Sequence, residues 1–116
     1  MKLAVVGSRS IYPENIGQYI PEDVTEIVSG GAKGADSAAA DYARAKGLKL
    51  TEFLPEYDKY GRGAPLKRNH LIAEYADAVL AFWDGESRGT VYTINLFKKL
   101  GKPVKIMKAV EKEKNR

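Results

Sequence analysis

Five short apolar runs punctuate the chain, and between them the spacing of apolar positions changes to the three-and-four rhythm of helices. LAVV (3–6) is unbroken and ends in GSRS, while VTEIVSGG (24–31) runs into glycines. LKLTEFL (48–54) alternates, DAVLAFW (77–83) is apolar almost throughout, and PVKIM (103–107) alternates again. Each predicts a strand. Ala35, Ala38, Ala39, Tyr42 and Ala43 fall at helical spacing, with Gly47 as the stop. Pro65 suits the first turn of a helix reaching Tyr75. Arg88 to Leu100 sets Val91, Ile94, Phe97 and Leu100 on one side and closes at Gly101 and Pro103. A shorter helix is predicted over Pro13 to Tyr19.

Strands alternating with helices imply right-handed crossovers and a parallel sheet covered on both faces. Strands buried on both faces read as continuous apolar runs, whereas edge strands tolerate alternation. Runs 3–6 and 77–83 therefore belong at the centre, and 48–54 and 103–107 at the edges. The predicted fold is a single three-layer α/β domain with a five-stranded parallel sheet of order 3-2-1-4-5. Its topological switch point lies between the first and fourth strands, where ligands of such sheets bind beyond the strand carboxyl ends.

Length and composition agree with this picture. A chain of 116 residues, 44% apolar and 29% charged, makes one domain with a modest core. It contains no cysteine, which excludes thiolate chemistry and fits a cytoplasmic location. Nothing in it has the length of a signal peptide or a membrane span. The net charge of +4 is concentrated late: six basic residues lie between Lys102 and Arg116. Residues 108–116 are expected to form a charged, solvated tail following a domain at 1–107. Without that tail the body is nearly balanced, so charge argues only weakly for nucleic acid.

The segments after the central strands are alike. Gly7-Ser8-Arg9-Ser10 follows the first, Ser29-Gly30-Gly31-Ala32-Lys33-Gly34-Ala35-Asp36 the second, and Asp84-Gly85-Glu86-Ser87-Arg88-Gly89-Thr90 the fourth. Every strand-to-helix link needs a turn, so one glycine cluster signifies little. Three glycine-bearing turns converging on one switch point predict a ligand site, because free amides at a helix N-terminus hold anions and glycine permits close approach. Neither G-x-G-x-x-G nor the P-loop pattern is present, which points away from dinucleotide oxidoreductases and NTPases.

VVGSR, IVSGGAKGAD, the alanine-rich helix, PLKRNHLIA, DAVLAFWDG and SRGT occur in this order. Together they resemble the SLOG superfamily, the Rossmann-like group joining DprA-type DNA-processing proteins to the lonely-guy hydrolases, and within it the small YspA/YpsA-related branch. The resemblance covers roughly residues 1–107. It implies binding of a nucleotide, a nucleotide-derived small molecule or single-stranded DNA. It matches the family's first turn to Gly7, Ser8 and Arg9, its second to Ser29, Gly30, Gly31, Gly34 and Asp36, its R-N pair to Arg68 and Asn69, and its phosphate-holding G-T to Gly89 and Thr90. The lonely-guy glutamate that serves glycosidic hydrolysis, three residues after that threonine, is replaced here by Thr93. Catalysis is thus undecided: an N-glycosidic hydrolase is the alternative to a binding protein, with Asp36, Asp84 or Glu86 as acids, and a single-stranded DNA binder stands behind both.

Single residues carry two readings each. Arg9 and Arg68 suit phosphate through the guanidinium fork, or brace neighbouring loops. Asn69 holds a loop to its helix or meets ligand. Asp36 favours a helix dipole and would repel phosphate, so it contacts a ribose hydroxyl or braces its turn. Lys33 adds charge to the turn or is simply exposed. Trp83 stacks on a base or fills the core, and Asp84, Gly85 and Ser87 complete the third turn. PEYDKYGRGAP (55–65) is long for a link and reads as a mobile flap with aromatic surface. His70 is the only histidine, so no metal site is expected. The expected partner is a phosphorylated small molecule, with no obligatory cofactor, no membrane, and self-association as a homodimer conceivable for so small a domain.

Overall fold

A computed structural model describes residues 1–108. Its elements run β1 (Lys2–Gly7), a 3-10 turn (Ile16–Tyr19), β2 (Glu26–Ser29), α1 (Ala35–Lys46), β3 (Lys49–Glu52), α2 (Tyr57–Tyr60), a second 3-10 turn (Gly61–Gly63), α3 (Ala64–Tyr75), β4 (Ala78–Trp83), α4 (Arg88–Lys99) and β5 (Val104–Lys108). All strands are parallel in the order β3-β2-β1-β4-β5. The expected order holds, and so does its cause: β1 and β4 are buried along nearly their whole length, while the edge strands β3 and β5 are not.

Period-two alternation sorts each central strand between two cores. Leu3, Val5, Leu80 and Phe82 face α1 and the first 3-10 turn, joined by Ile16, Ile27 and the alanines 35, 38, 39 and 43. Ala4, Val6, Val79 and Ala81 face α3 and α4, meeting Ile72, Ala73, Ile94 and Phe97. Alanines on the inner face of α1 let that helix lie close to the sheet. At the amino end of the sheet, buried Glu26 ties β2 to its neighbours, accepting Thr51 Oγ1 and Tyr75 Oη, both at 2.6 Å. Burial alone would push this carboxyl up, but the two hydroxyls and the charges of Lys49 and Lys2 outweigh it and hold it below the usual range.

Three expectations need correcting. The helix predicted over 13–19 is only the 3-10 turn Ile16–Tyr19. Residues 55–65, read as a long connecting flap, hold regular structure: α2 and the second 3-10 turn run directly into α3, which carries Pro65 at its start. Leu100 is 50% exposed beyond the end of α4 rather than part of its apolar side. Of the predicted tail, Lys108 is the last residue of β5, and the remainder lies outside the described residues.

Candidate functional site

The chain leaves β1 for β2 on one side and returns to β4 on the other, and at the carboxyl ends of these strands a cavity of about 170 Å³ opens. Val6 and Gly7 of β1 form its floor, Gly30, Ala32 and Asp36 one wall, and Arg68, Asn69 and Ile72 of α3 another. Ser87, Gly89, Thr90 and Thr93 at the start of α4 close it, with Arg9 at the rim.

The backbone that builds this cavity is tightly packed. At Gly34, φ is +78°, and a Cβ there would stand 2.6 Å from the Ser8 carbonyl oxygen and 2.7 Å from those of Arg9 and Ile11. Gly34 is thus where the first two turns touch, and only glycine fits. Gly7 serves a similar purpose, since a Cβ would lie 2.6 Å from both the Ala35 side chain and the Phe82 carbonyl oxygen.

The amides of the two turns that precede helices fare differently. In the second turn, Asp36 reaches back from the first turn of α1, and its Oδ2 accepts the amides of Gly30 (3.1 Å) and Ala32 (3.2 Å). Ser29 Oγ accepts the Gly31 amide at 3.1 Å. These nitrogens are therefore occupied by the protein, contrary to the expectation that the turn grips phosphate with them. Arg68 secures the same turn from α3, donating from Nη1 to the Gly30 carbonyl at 2.6 Å, while its Nε donates to Asn69 Oδ1 at 2.8 Å. Burial raises the Asp36 carboxyl above its ordinary range against the pull of the Ala32 and Gly30 amides and the Arg68 charge. Burial likewise lowers the Arg68 guanidinium, opposed by Asp36 and Tyr57.

In the third turn, Asp84 Oδ1 accepts the amides of Glu86 and Ser87, both at 2.8 Å, and these bonds hold the carboxyl below its ordinary value. This cap stops short of the helix. Ser87 makes no side-chain cap of its own, and its hydroxyl meets Thr90 Oγ1 at 3.1 Å instead. The amides of Arg88, Gly89 and Thr90 have no intrahelical acceptor, and Gly89 and Thr90 line the cavity. A helix start left open in this way carries partial positive charge suited to an anion.

With this geometry in place, the relatives can be compared. The profile of the YspA, cpYpsA-related SLOG family matches residues 15–60, from the first 3-10 turn through the glycine turn and α1 to α2. The gene 61 protein of Mycobacterium phage D29 is 36% identical over 84 residues, covering 67% of this chain and 67% of the phage protein. The chain belongs to this SLOG family. Its fold is also that of DNA processing protein A (DprA) from Streptococcus pneumoniae, with a TM-score of 0.71, 24% identity and 95% of the SLOG chain covered. The SLOG chain spans 51% of the length of that structure.

Of the residues the sequence nominates, Gly7, Arg9, Gly30, Asp36, Arg68, Asn69, Ser87, Gly89 and Thr90 line the cavity of the SLOG chain together. The others do not line it. Ser8 is buried, its Oγ accepting the Asp84 amide at 3.2 Å, so it joins the first turn to the third. Ser29 is fully buried and Lys33 exposed. Gly31 borders a smaller adjoining hollow that also touches Asp36. Gly34 and Gly85 shape the backbone, the latter at φ +90°. Trp83 is half-buried, and its Nε1 donates to the Ser87 carbonyl at 3.1 Å, bracing the third turn from behind. Val6, Ala32, Ile72 and Thr93 line the cavity without having been nominated. Thr93 had a legible signal: it falls one helical turn after Thr90 on the same face, and its Oγ1 donates to the Gly89 carbonyl at 3.1 Å.

A broader hollow of about 570 Å³ lies between residues 12–18 and α1. It gathers none of the three turns, and its Tyr12 hydroxyl is already donated to Asp41 at 2.5 Å. Among the described residues no group of side chains could hold a metal ion, and no helix is long and apolar enough to cross a membrane.

Proposed function

We propose that the chain binds a nucleotide or nucleotide-derived phosphorylated small molecule in the cavity at the switch point. The phosphate rests on the amides of Arg88, Gly89 and Thr90, with the hydroxyls of Ser87 and Thr90 alongside. Arg9, which is exposed at the rim and takes part in no ion pair among the described residues, supplies the cation. The observation that carries this reading is the uncapped start of α4, left open because Asp84 takes the amides immediately before it. Membership of the SLOG family supports it, as does the position of the cavity beyond the strand carboxyl ends.

The reading is tested by a thermal-shift panel of nucleoside monophosphates, ADP-ribose, nicotinamide dinucleotides and a single-stranded oligonucleotide. At least one mononucleotide-sized ligand should stabilise the protein, and Gly89→Asp should weaken that ligand about tenfold or more, because a carboxylate at the helix start repels phosphate. No Cβ contact stands within 4 Å of Gly89, so the variant should fold. Stabilisation by none of the small ligands would contradict the proposal, and stabilisation by the oligonucleotide alone would replace it with a nucleic-acid function of the kind the name DNA processing protein A describes for its structural relative.

A further inference from the structure

One group in the cavity is chemically wrong for an anion. Asp36 is 6% exposed and is the only carboxylate among the lining residues. Both of its hydrogen bonds use Oδ2, which accepts the Gly30 and Ala32 amides. Its Oδ1 has no hydrogen-bond partner among the described residues, and no buried side-chain oxygen there is left sealed and unpartnered, so this oxygen is open to the space that Asp36 lines, which is this cavity and the smaller hollow beside it. Arg68 and Asn69 line the same cavity. A carboxylate oxygen only accepts hydrogen bonds and repels phosphate, so it calls for a neutral ligand group rich in O–H donors.

The size of the cavity narrows the choice. About 170 Å³ is below the roughly 300–1,000 Å³ of pockets that enclose drug-sized ligands. A volume of that order suits a part of a nucleotide, such as its sugar phosphate, rather than the whole. We infer that the cavity is a ribose-phosphate subsite in which the free oxygen of Asp36 accepts the vicinal hydroxyls of the sugar, selecting ribo- over deoxyribo-ligands. This rests on the phosphate reading above, with Asp36 as a specificity residue in the same cavity as the start of α4. The turn it organises is held by one carboxylate oxygen, which leaves the other for recognition.

Isothermal titration of the full chain with inorganic phosphate, ribose 5-phosphate and 2-deoxyribose 5-phosphate tests it. Loss of a hydrogen bond to a charged acceptor costs about tenfold or more in affinity, so the wild type should prefer ribose 5-phosphate by at least that factor. Asp36→Asn keeps an acceptor for the two turn amides, and its melting temperature reports whether the fold is intact; in it the preference should fall to about threefold or less. Equal affinity of the wild type for the two sugar phosphates, with phosphate also bound, would overturn this inference and leave the phosphate reading standing. A preference that survives unchanged in Asp36→Asn would overturn the role of Asp36. Silence from all three probes would overturn both readings at once.

Discussion

The turn before α1 and the turn before α4 have the same ingredients: glycines, a small hydroxyl residue and an aspartate close to a helix start. They use the aspartate in opposite directions. Asp36 lies inside its helix and reaches back to fill the turn amides at Gly30 and Ala32. Asp84 lies ahead of its helix and caps Glu86 and Ser87, leaving the helix amides that follow uncovered. The more glycine-rich turn therefore has its amides at Gly30, Gly31 and Ala32 filled; neither helix start carries a side-chain cap, and at the start of α4 it is Gly89 and Thr90 that line the cavity. Glycine content reports how closely backbones approach; which amides remain free depends on where the carboxylate sits.

The sharpest way to break this comparison is to add a methyl group to a glycine in each turn. Gly34→Ala forces a Cβ against three carbonyl oxygens at positive φ, and it should lose about 3 kcal/mol or more of stability. Gly89→Ala meets nothing within 4 Å at a helical position and should be neutral or gain up to about 1 kcal/mol. Chemical denaturation of both variants measures the contrast, and equal losses would erase it.

Next in size is the carboxylate itself. Asp36→Ala leaves two buried or part-buried amides without an acceptor and should cost about 2–4 kcal/mol, whereas Asp36→Asn should cost less than about 1 kcal/mol. Asp84→Ala removes a comparable pair of bonds at a wetter site, and about 1 kcal/mol is expected by analogy with helix caps. Denaturant midpoints for the three variants rank these effects.

The smallest effect is on pH dependence, and its sign differs between the two aspartates. With its folded pKa raised, Asp36 holds its proton more tightly in the folded chain. Its contribution favours folding below the unfolded value and is lost as pH rises from there through the folded value. Asp84, with its folded pKa lowered, contributes fully above the unfolded value and loses that contribution as pH falls through the folded one. In melting profiles at acid pH, Asp36→Asn should make the protein relatively more stable on the neutral side of this window, and Asp84→Asn relatively less.

Much of this architecture was legible in the chain. Continuous apolar runs fixed β1 and β4 as central strands, and alternation put β3 and β5 at the edges. Three converging turns located the cavity. What pattern alone could not supply was the destination of each hydrogen bond. The amides of Gly30 and Ala32, in one of three converging turns, read as anion donors until Asp36 is seen folding back on them, and Trp83, read as stacking on a base or filling the core, is found with its indole on the Ser87 carbonyl. Residues 55–65 read as a flap because the segment is long for a link, yet a short helix and a 3-10 turn take up Gly61 and Gly63 at the mouth of α3. Ile72 was missed because its apolar side chain serves the core and the cavity at once.

The most direct test follows backbone amides by two-dimensional NMR while a nucleoside monophosphate that stabilises the protein is added. The amides of Arg88, Gly89 and Thr90 should move most, and those of Gly30 and Ala32, already held by Asp36, should move little. The largest shifts at Gly30 to Ala32, or at residues away from the cavity, would contradict the claim that the open start of α4 is where the anion sits.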